Sequence, residues 1–333
     1  WEFNGATQEN GAGFVQKNIL DGRRHSAAAA YLVPILSRSN LTVASMAHAT
    51  RLIVEGGRTV GLEYVREGRL EQARATRDVV LCGGVIDSPK LLMLSGIGPA
   101  DHLRAAGVSV VSDLPGVGGN FQDHLKISVR WAGSTRLPGS TVTAGLFTWS
   151  GPDRMTPDRA QRSPDLQFYA GRGLDAPDSF VTITASLVQP QSRGEVRLRS
   201  ADPMDAPLIR ANYLQSPEDV SALVSGVRLA RALGNASAYD ALRGDELEPG
   251  PMARTDAGIE EFVRRAADTI YHGAGTCRMG SDAGAVVDAS LRVRGIEGLR
   301  IADASIMPDV VNATTHAACV MIGEKAANLI SAG

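Results

Sequence analysis

The spacing of apolar and polar positions predicts strands and one strand–helix unit in the first part of the chain. Residues 40–66 alternate β-branched and polar residues on both sides of Gly56-Gly57, which predicts two strands joined by a turn. The run at 78–82 ends at Gly83-Gly84, and Ser88-Pro89 then opens a predicted helix through Met93. A strand, glycine turn and helix are typical of α/β sheets, which bind ligands beyond the carboxyl ends of their strands.

The middle of the chain has a different pattern. Strand-like stretches at 126–131, 179–188 and 194–198 are separated by Pro- and Gly-rich loops, and a helix is predicted near 217–233. The end of the chain returns to the α/β pattern, with a strand at 299–302 and helical spacing over 317–330 that Thr314 or Thr315 would cap. We therefore predict a mixed fold (α/β with α+β character) in which about 126–255 form a separate, more antiparallel domain.

Composition and charge exclude several classes of protein. A chain of 333 residues with 44% hydrophobic and 21% charged residues is typical of a globular protein of about two domains. Its 34 basic and 36 acidic residues give a net charge of −2, so we expect no nucleic-acid partner. Because no run of about 18 apolar residues occurs, we expect no membrane span. The three cysteines lack a disulfide-framework spacing and favour a reducing compartment, so we expect the cytoplasm.

Five motifs are spread over most of the chain, at 84–89 (GVIDSP) with 94–98 (LSGIG), 119–124 (GNFQDH), 271–280 (YHGAGTCRMG), 286–288 (VVD) and 298–308 (GLRIADASIMP). The residues of these motifs and their order along the chain resemble those of the glucose-methanol-choline (GMC) oxidoreductases, in particular the choline dehydrogenase-like members. The resemblance implies a Rossmann-like FAD-binding domain built from discontinuous pieces and an antiparallel-sheet substrate domain over the flavin. It assigns residues 1–35 to the substrate domain or a linker, 36–125 to the FAD-binding domain, 126–255 to the substrate domain, and 256–333 to the FAD-binding domain with the catalytic loop.

The glycine fingerprint that holds the FAD pyrophosphate in this family, G-x-G-x-x-G, does not occur in the sequence. Glycines at such a turn let backbone N–H groups and a helix N-terminus approach the phosphates. We therefore expect the FAD-binding domain to be incomplete here, most simply through truncation, and the chain alone to bind FAD poorly.

Two histidines are the candidate catalytic residues. His272 lies in the glycine-rich motif at 271–280, and its match to the family implies a general base, a role suited to a group that titrates near neutral pH. Without the match, a loop histidine bonded to nearby backbone would be the ordinary interpretation. His316 occupies a position that carries histidine or asparagine in the family, which implies that it holds the substrate oxygen.

The resemblance assigns the cofactor contacts to six residues, namely Ala49, Tyr271, Asp303, Ala304, Ala317 and Ala318. Asp303 and Ala304 would meet the ribityl and phosphate region, although a turn cap is the ordinary role of such an aspartate. A helix from Ala317 would direct its positive N-terminus at the flavin pyrimidine. Val85 departs from the small residue usual after this glycine, and we expect it to alter packing near the cofactor.

The sequence also contains residues suited to two other kinds of site. His272, Cys277, His316 and Cys319 supply nitrogen and sulfur ligands, but they lack a compact metal-binding spacing, and we expect no metal. Asp123-His124 resembles a catalytic dyad only superficially, because adjacent side chains seldom point the same way and no G-x-S-x-G elbow supplies a nucleophile.

The predicted reaction is oxidation of a small-molecule alcohol, with proton abstraction by His272 and hydride transfer to flavin N5. The residues leave open whether the electron acceptor is oxygen or a quinone or dye. A dehydrogenase is slightly favoured, because the sequences at 306–308 (IMP) and 322–325 (IGEK) resemble those of bacterial choline dehydrogenase-like relatives. Two alternatives remain: a non-redox hydroxynitrile lyase-type member of the fold, and an inactive fragment that needs a nucleotide-binding part. The substrate itself is not predicted.

Overall fold

The computed structural model describes residues 11–133, 144–151, 163–172 and 180–332. The strands are β1 (Gly11–Phe14), β2 (Ile19–Leu20), β3 (Arg23–Arg24), β4 (Ala47–Glu55), β5 (Arg58–Arg66), β6 (Arg69–Arg74), β7 (Val79–Leu81), β8 (Ile97–Gly98), β9 (Ser112–Asp113), β10 (Leu125–Gly133), β11 (Ala144–Thr148), β12 (Leu166–Arg172), β13 (Phe180–Leu187), β14 (Glu195–Arg197), β15 (Leu208–Arg210), β16 (Arg243–Glu248), β17 (Asp268–Thr269) and β18 (Leu299–Ile301). The helices are α1 (Gly84–Leu94), α2 (Ala100–Ala105), α3 (Pro217–Gly234), α4 (Asp256–Ala266) and α5 (His316–Ala332).

Most strands of a seven-stranded antiparallel sheet come from the middle of the chain. Its order is β1-β11-β12-β13-β10-β16, and β17 also pairs with β10. Along β10 the side chains of Leu125, Ile127, Val129 and Trp131 are buried while those between them are not, as expected for a strand with one covered face. The predicted antiparallel sheet is thus confirmed for the strands at 126–131 and 179–188, although residue 179 lies outside the described residues. The predicted strand at 194–198 is present as β14 but pairs with β15 in a separate two-stranded antiparallel sheet.

Helices α3 and α4 pack together, and α3 lies against the large sheet. α3 begins with Pro217 at its first position, where a missing N–H costs no helical hydrogen bond. α4 is capped by the Thr255 hydroxyl, which accepts the Gly258 N–H at 3.2 Å, and buries Phe262 in the core of the sheet. The predicted boundary at residue 256 assigns α4 to the C-terminal segment, whereas α4 packs against α3 and the core of the large sheet. The rest of the four-part division stays a prediction.

A second hydrophobic core surrounds the α/β part of the chain. β7 and β18 pair in parallel, with Val79 opposite Leu299, and α1 follows β7 directly. Leu92 and Met93 of α1 are fully buried in this core. The strand, glycine turn and helix predicted from the pattern are present, and the carboxyl ends of β7 and β18 lie side by side.

Helix α1 begins at Gly84, earlier than the predicted opening at Ser88-Pro89, so Pro89 lies inside the helix. A proline there has no N–H for the carbonyl four residues before it, which belongs to Val85. The Thr276 hydroxyl donates to that carbonyl at 2.6 Å instead. The helix therefore tolerates its proline because a residue far along the chain provides the donor.

The predicted hairpin is present as β4 and β5, joined by Gly56 and Gly57 in the left-handed region, and β6 adds a third strand. Residues 40–46 precede the strand. α5 begins at His316, one residue earlier than predicted, and its first hydrogen bond joins the Cys319 N–H to the Thr315 carbonyl. No helix in the described part of the chain has the length and apolar content that a bilayer span requires.

Candidate active site

The glycine-rich loop that carries His272 is held between two segments of backbone. On one side, Gln122 and Ala274 exchange backbone hydrogen bonds of 3.0 and 2.9 Å. On the other, the Gly275 N–H donates to the Ala304 carbonyl at 3.2 Å, within the turn that follows β18. The loop therefore lies between the segment that enters β10 and the carboxyl end of the parallel strands.

His272 is partly buried and is fixed at both its backbone and its ring. Its N–H donates to Asp123 Oδ1 at 2.9 Å. Its ring Nδ1 lies 3.0 Å from Nδ1 of His124, with the two rings edge to face at a centroid distance of 5.2 Å. Burial lowers the pKa of His272 below its ordinary value, and the charge of Asp123 opposes this only in part. The ring is therefore neutral at neutral pH, the state a general base requires.

The buried Asp123 carboxylate organises the start of this loop. Its Oδ2 accepts hydrogen bonds from the Tyr213 hydroxyl at 2.6 Å and the Thr269 hydroxyl at 2.5 Å. The Thr269 hydroxyl oxygen in turn accepts the Tyr271 N–H at 2.8 Å. Burial and the bond to Asp123 raise the pKa of Tyr213, which keeps its hydroxyl a donor. Asp123 thus holds the loop through two successive backbone N–H groups, directly at His272 and through the Thr269 hydroxyl at Tyr271.

His124 is fully buried beside His272. Burial, and secondarily the proximity of His272, lowers the pKa of His124 to about 3, so its ring is neutral at physiological pH. Its Nε2 makes no hydrogen bond of normal geometry, although backbone groups of Val311 and Val188 lie beside the ring and favour its protonated form.

The same segment also holds the approach to α5. The Gln122 side-chain amide donates to the Pro308 carbonyl at 2.9 Å and accepts the Val310 N–H at 3.2 Å. His316 begins α5 a few residues later and is exposed; its Nε2 lies 2.5 Å from the Asn18 amide nitrogen. Residues 122–124 therefore contact both histidine-bearing segments, while no hydrogen bond or ring contact joins His272 to His316 in the described part of the chain.

Asp303, a predicted cofactor contact, uses its carboxylate for hydrogen bonds within the protein. Its Oδ2 accepts the Gly84 N–H at 2.9 Å and the Ser88 hydroxyl at 2.6 Å, and its Oδ1 accepts the Ser305 N–H at 2.8 Å. The carboxylate joins the turn after β18 to the start of α1, as an N-cap would. The Ala304 N–H has no acceptor among the described residues and remains available to a ligand.

The other predicted cofactor residues lie on open surfaces. Ala49 of β4 lines a cavity of about 280 Å³ beside Cys82 and Gly83, at the carboxyl end of β7. Tyr271 is 83% exposed and has a left-handed backbone (φ 63°). Ala317 is exposed, and its N–H and that of Ala318 precede the first hydrogen bond of α5. Nothing here contradicts the assignments to these residues, which stay predictions.

The four residues considered as metal ligands are not gathered into a site. Among the described residues, no three His, Cys, Asp or Glu side chains are placed to hold a metal ion. Cys277 is fully buried, and burial raises the pKa of its thiol, so it is protonated and suited to packing.

Sequence reasoning missed the roles of Asp123 and His124, both of which contact His272. The available signal is the motif at 119–124, which contains both residues and by itself indicates only the family. The expected effect of Val85 on packing near the cofactor stays a prediction. In the structure a Cβ on Gly273, next to His272, would lie 2.8 Å from Val85 Cγ1. Val85 therefore packs against the histidine loop.

Comparison with known proteins identifies the family of the chain. Two models described as GMC oxidoreductase match residues 2–126 and 190–323. The chain is 38% identical to an alcohol dehydrogenase [acceptor] of Pseudomonas putida, covering 99% of this chain and 65% of that protein, and 41% identical to the mitochondrial choline dehydrogenase of Mus musculus, covering 99% and 60%. It therefore spans less than two thirds of the length of these curated relatives.

Solved structures give the same result for the fold. A pyridoxine 4-oxidase from Mesorbium loti superposes with a TM-score of 0.89 at 32% identity, covering 97% of this chain and 65% of that one. A formate oxidase variant from Aspergillus oryzae RIB40, solved to follow FAD modification, gives 0.81 at 25% identity, with coverages of 90% and 62%.

Proposed function

This chain belongs to the GMC oxidoreductase family, and from that premise we propose that it oxidises the CH–OH group of a small-molecule alcohol to a carbonyl, with FAD as cofactor. The observation that carries the proposal is His272 at the edge of the α/β core, whose ring is neutral and which is held at its backbone by Asp123 and at its ring by His124. The electron acceptor is oxygen or a compound of the quinone or dye type.

His272 takes the hydroxyl proton in this proposal. Abstraction requires an unprotonated nitrogen on a ring that is held in place but reachable by the substrate. His272 meets these conditions, because its ring is partly exposed, its pKa is lowered by burial, and Asp123 and His124 restrain its backbone and ring. His316, exposed at the first position of α5, is proposed to hold the substrate oxygen.

The residues at the carboxyl ends of β7 and β18 suit FAD. A Cβ on Gly84 would meet no atom within 4 Å, the Ala304 N–H lacks an acceptor among the described residues, and the α5 N-terminus offers the N–H groups of Ala317 and Ala318. Small side chains and free backbone donors are what a flat, anionic ligand needs. Ala49, Tyr271 and Asp303 complete the proposed cofactor set, with Asp303 acting chiefly by holding Gly84. When bound, FAD supplies the hydride acceptor.

The test is anaerobic addition of alcohols to the FAD-loaded protein while flavin absorbance is followed. The panel contains choline, a sugar, an aryl alcohol and an aliphatic alcohol. We expect at least one of them to bleach the flavin, and oxygen or a quinone-type dye to restore the colour. If an alcohol or cyanohydrin is converted while the flavin stays oxidised, the chemistry is of the lyase type and the proposal is wrong.

A pair of histidine variants assigns the base. His272→Gln should slow flavin reduction by about 10²- to 10⁴-fold, the usual contribution of a general base, with little change in FAD binding. The matched control is His102→Gln, since the His102 ring accepts the Leu198 N–H at 3.0 Å, has no described contact with His272, and can be replaced as acceptor by a glutamine oxygen. Equal rates for the two variants would remove His272 from the mechanism.

A further inference from the structure

One face of the large sheet packs against α3, and the opposite face carries buried polar side chains. On the covered face, Leu166 and Ala185 belong to the sheet core. Because side chains alternate along a strand, Gln167 and Ser186 lie on the opposite face. Their side chains are 1% and 0% exposed, yet Gln167 Oε1 and Ser186 Oγ have no hydrogen-bond partner among the described residues. Thr182 Oγ1, on the same face, has none either.

The same face continues to the histidine loop. Gln167 of β12 is opposite Ser186 of β13, which is in turn opposite Lys126 of β10. The ladder between β10 and β17 continues to His124, whose carbonyl accepts a backbone N–H at 3.1 Å. His124 therefore shares the face of Lys126, two residues later, and its ring contacts that of His272. Strand spacing places the Cα atom of Ser186 roughly 8 Å from that of His124.

The row of side chains further from the histidines is satisfied within the protein. Ser128 and Thr184 are opposite each other in β10 and β13, and their hydroxyls form a hydrogen bond of 2.8 Å. Gln167 and Ser186 are also opposite each other, nearer His124, but do not form the corresponding bond. A buried polar atom without a partner costs free energy and is rare in folded proteins. An unpaired acceptor beside an unpaired hydroxyl therefore indicates a place for a polar group of a ligand.

We infer that Gln167 and Ser186 bind a second hydroxyl group of the alcohol, several bonds away from the carbinol that reacts at His272. A hydroxyl fits both atoms, because it donates its proton to Gln167 Oε1 and accepts the proton of the Ser186 hydroxyl. A methyl group does neither, and a quaternary ammonium, which has no N–H, does neither. The inference rests on the proposed function and narrows its substrate class to diols and polyols.

Paired substrates test this inference on the FAD-loaded protein. We compare 1,4-butanediol, 1,5-pentanediol and 1,6-hexanediol with 1-pentanol, 1-hexanol and 1-heptanol, in which a methyl group replaces the second hydroxyl. At least one diol should reduce the flavin with a kcat/KM about 10- to 100-fold above that of its partner, because the partner leaves buried polar atoms unsatisfied. Equal values in all three pairs, or a higher kcat/KM for choline than for every diol, would overturn the inference.

Two variants remove the polar atoms one at a time. Ser186→Ala and Gln167→Leu should each lower kcat/KM for the preferred diol by about 10- to 100-fold and leave that of the matching primary alcohol nearly unchanged. The matched control is Thr184→Val, which removes a hydroxyl of the same face that already has a partner in Ser128. It should leave the ratio of the two kcat/KM values unchanged. An equal loss for both substrates in Ser186→Ala and Gln167→Leu would give these residues a structural role and refute the inference.

Two measurements without turnover separate this inference from the proposed function. Loss of an unsatisfied buried atom should raise the urea midpoint of Ser186→Ala, whereas loss of a satisfied hydroxyl should lower that of Thr184→Val. A lowered midpoint for Ser186→Ala would show that its hydroxyl has a partner and would overturn the inference. Saturation-transfer nuclear magnetic resonance should show stronger binding of the diol than of its partner, and weaker diol binding by Ser186→Ala.

The two proposals fail in different ways. If the diol binds as expected but no alcohol reduces the flavin, the proposed function fails and the hydroxyl site stands. If alcohols reduce the flavin with no preference for a second hydroxyl, only the present inference fails.

Discussion

Replacement of Asp123 by asparagine tests how the histidine loop is held. The carboxylate accepts three hydrogen bonds, at 2.9 Å from the His272 N–H and at 2.6 and 2.5 Å from the hydroxyls of Tyr213 and Thr269. In Asp123→Asn the amide oxygen can keep the His272 N–H, but the NH₂ group then faces two hydroxyls that had been donors.

The cost follows from these contacts. Hydrogen bonds to a charged group contribute about 1.5–3 kcal/mol each, and reoriented hydroxyls recover part of the loss, so we expect the free energy of unfolding to fall by about 2–4 kcal/mol. Urea unfolding followed by circular dichroism measures this. The matched control is Asp219→Asn, because Asp219 is equally buried and accepts the N–H groups of Gln191 and Ser192, with no described contact to His272.

Activity separates Asp123 from the control. The negative charge of Asp123 raises the pKa of His272 against the larger effect of burial, so its removal lowers that pKa further. A base works in its neutral form, and its rate rises as pH passes upward through its pKa. In Asp123→Asn the pH at which the rate of flavin reduction increases should therefore be lower, and the maximal rate at high pH should be smaller. In Asp219→Asn the pH dependence of this rate should be unchanged. The same pH profile in both variants, with similar stabilities, would refute this account of Asp123.

Three further outcomes are expected. Gly273→Ala should slow flavin reduction, because its Cβ would lie 2.8 Å from Val85 Cγ1, and Val85→Ala in the same chain should restore the rate by removing that contact. Thr276→Val should lower the free energy of unfolding, measured in urea, by about 1–3 kcal/mol, because the Val85 carbonyl loses its donor. In a chain that also carries Pro89→Ala, which restores the helical N–H, the same substitution should lower it much less. An equal decrease in both chains would contradict this. Because the pKa of His124 is lowered to about 3 in the folded chain, this histidine is protonated at a higher pH in the unfolded chain than in the folded one. The free energy of unfolding should therefore decrease as the pH falls from 6.5 toward about 3, by up to about 5 kcal/mol. The decrease should be smaller in His124→Leu.

Much of the fold could be predicted because the relevant signals are local. The hairpin of β4 and β5 follows from alternating residues around Gly56-Gly57, and β10 from its buried alternate positions. The start of α1 could not be predicted in this way. A proline is expected at or near a helix start, and Pro89 lies further inside only because Thr276 supplies the missing donor from a distant segment.

The candidate site shows a similar division. His272 could be named from its motif, but the partners that restrain it depend on which segments meet in space. Adjacent side chains seldom point the same way, which argues from sequence against a joint role for Asp123 and His124. Both nevertheless contact His272, because one side chain reaches its backbone and the other reaches its ring.

The position of residues 122–124 between the two hydrophobic cores explains why so many contacts converge there. Leu125 begins β10 and is buried in the sheet core, while Gln122 bonds to Ala274 and Pro308 beside the α/β core. The residues between them pass directly from one core to the other. Because both ends of this short segment are fixed, Asp123 and His124 have little freedom, and the loop that carries His272 is held by the junction itself. Changes in β10 that shift Leu125 should therefore also shift the His272 ring.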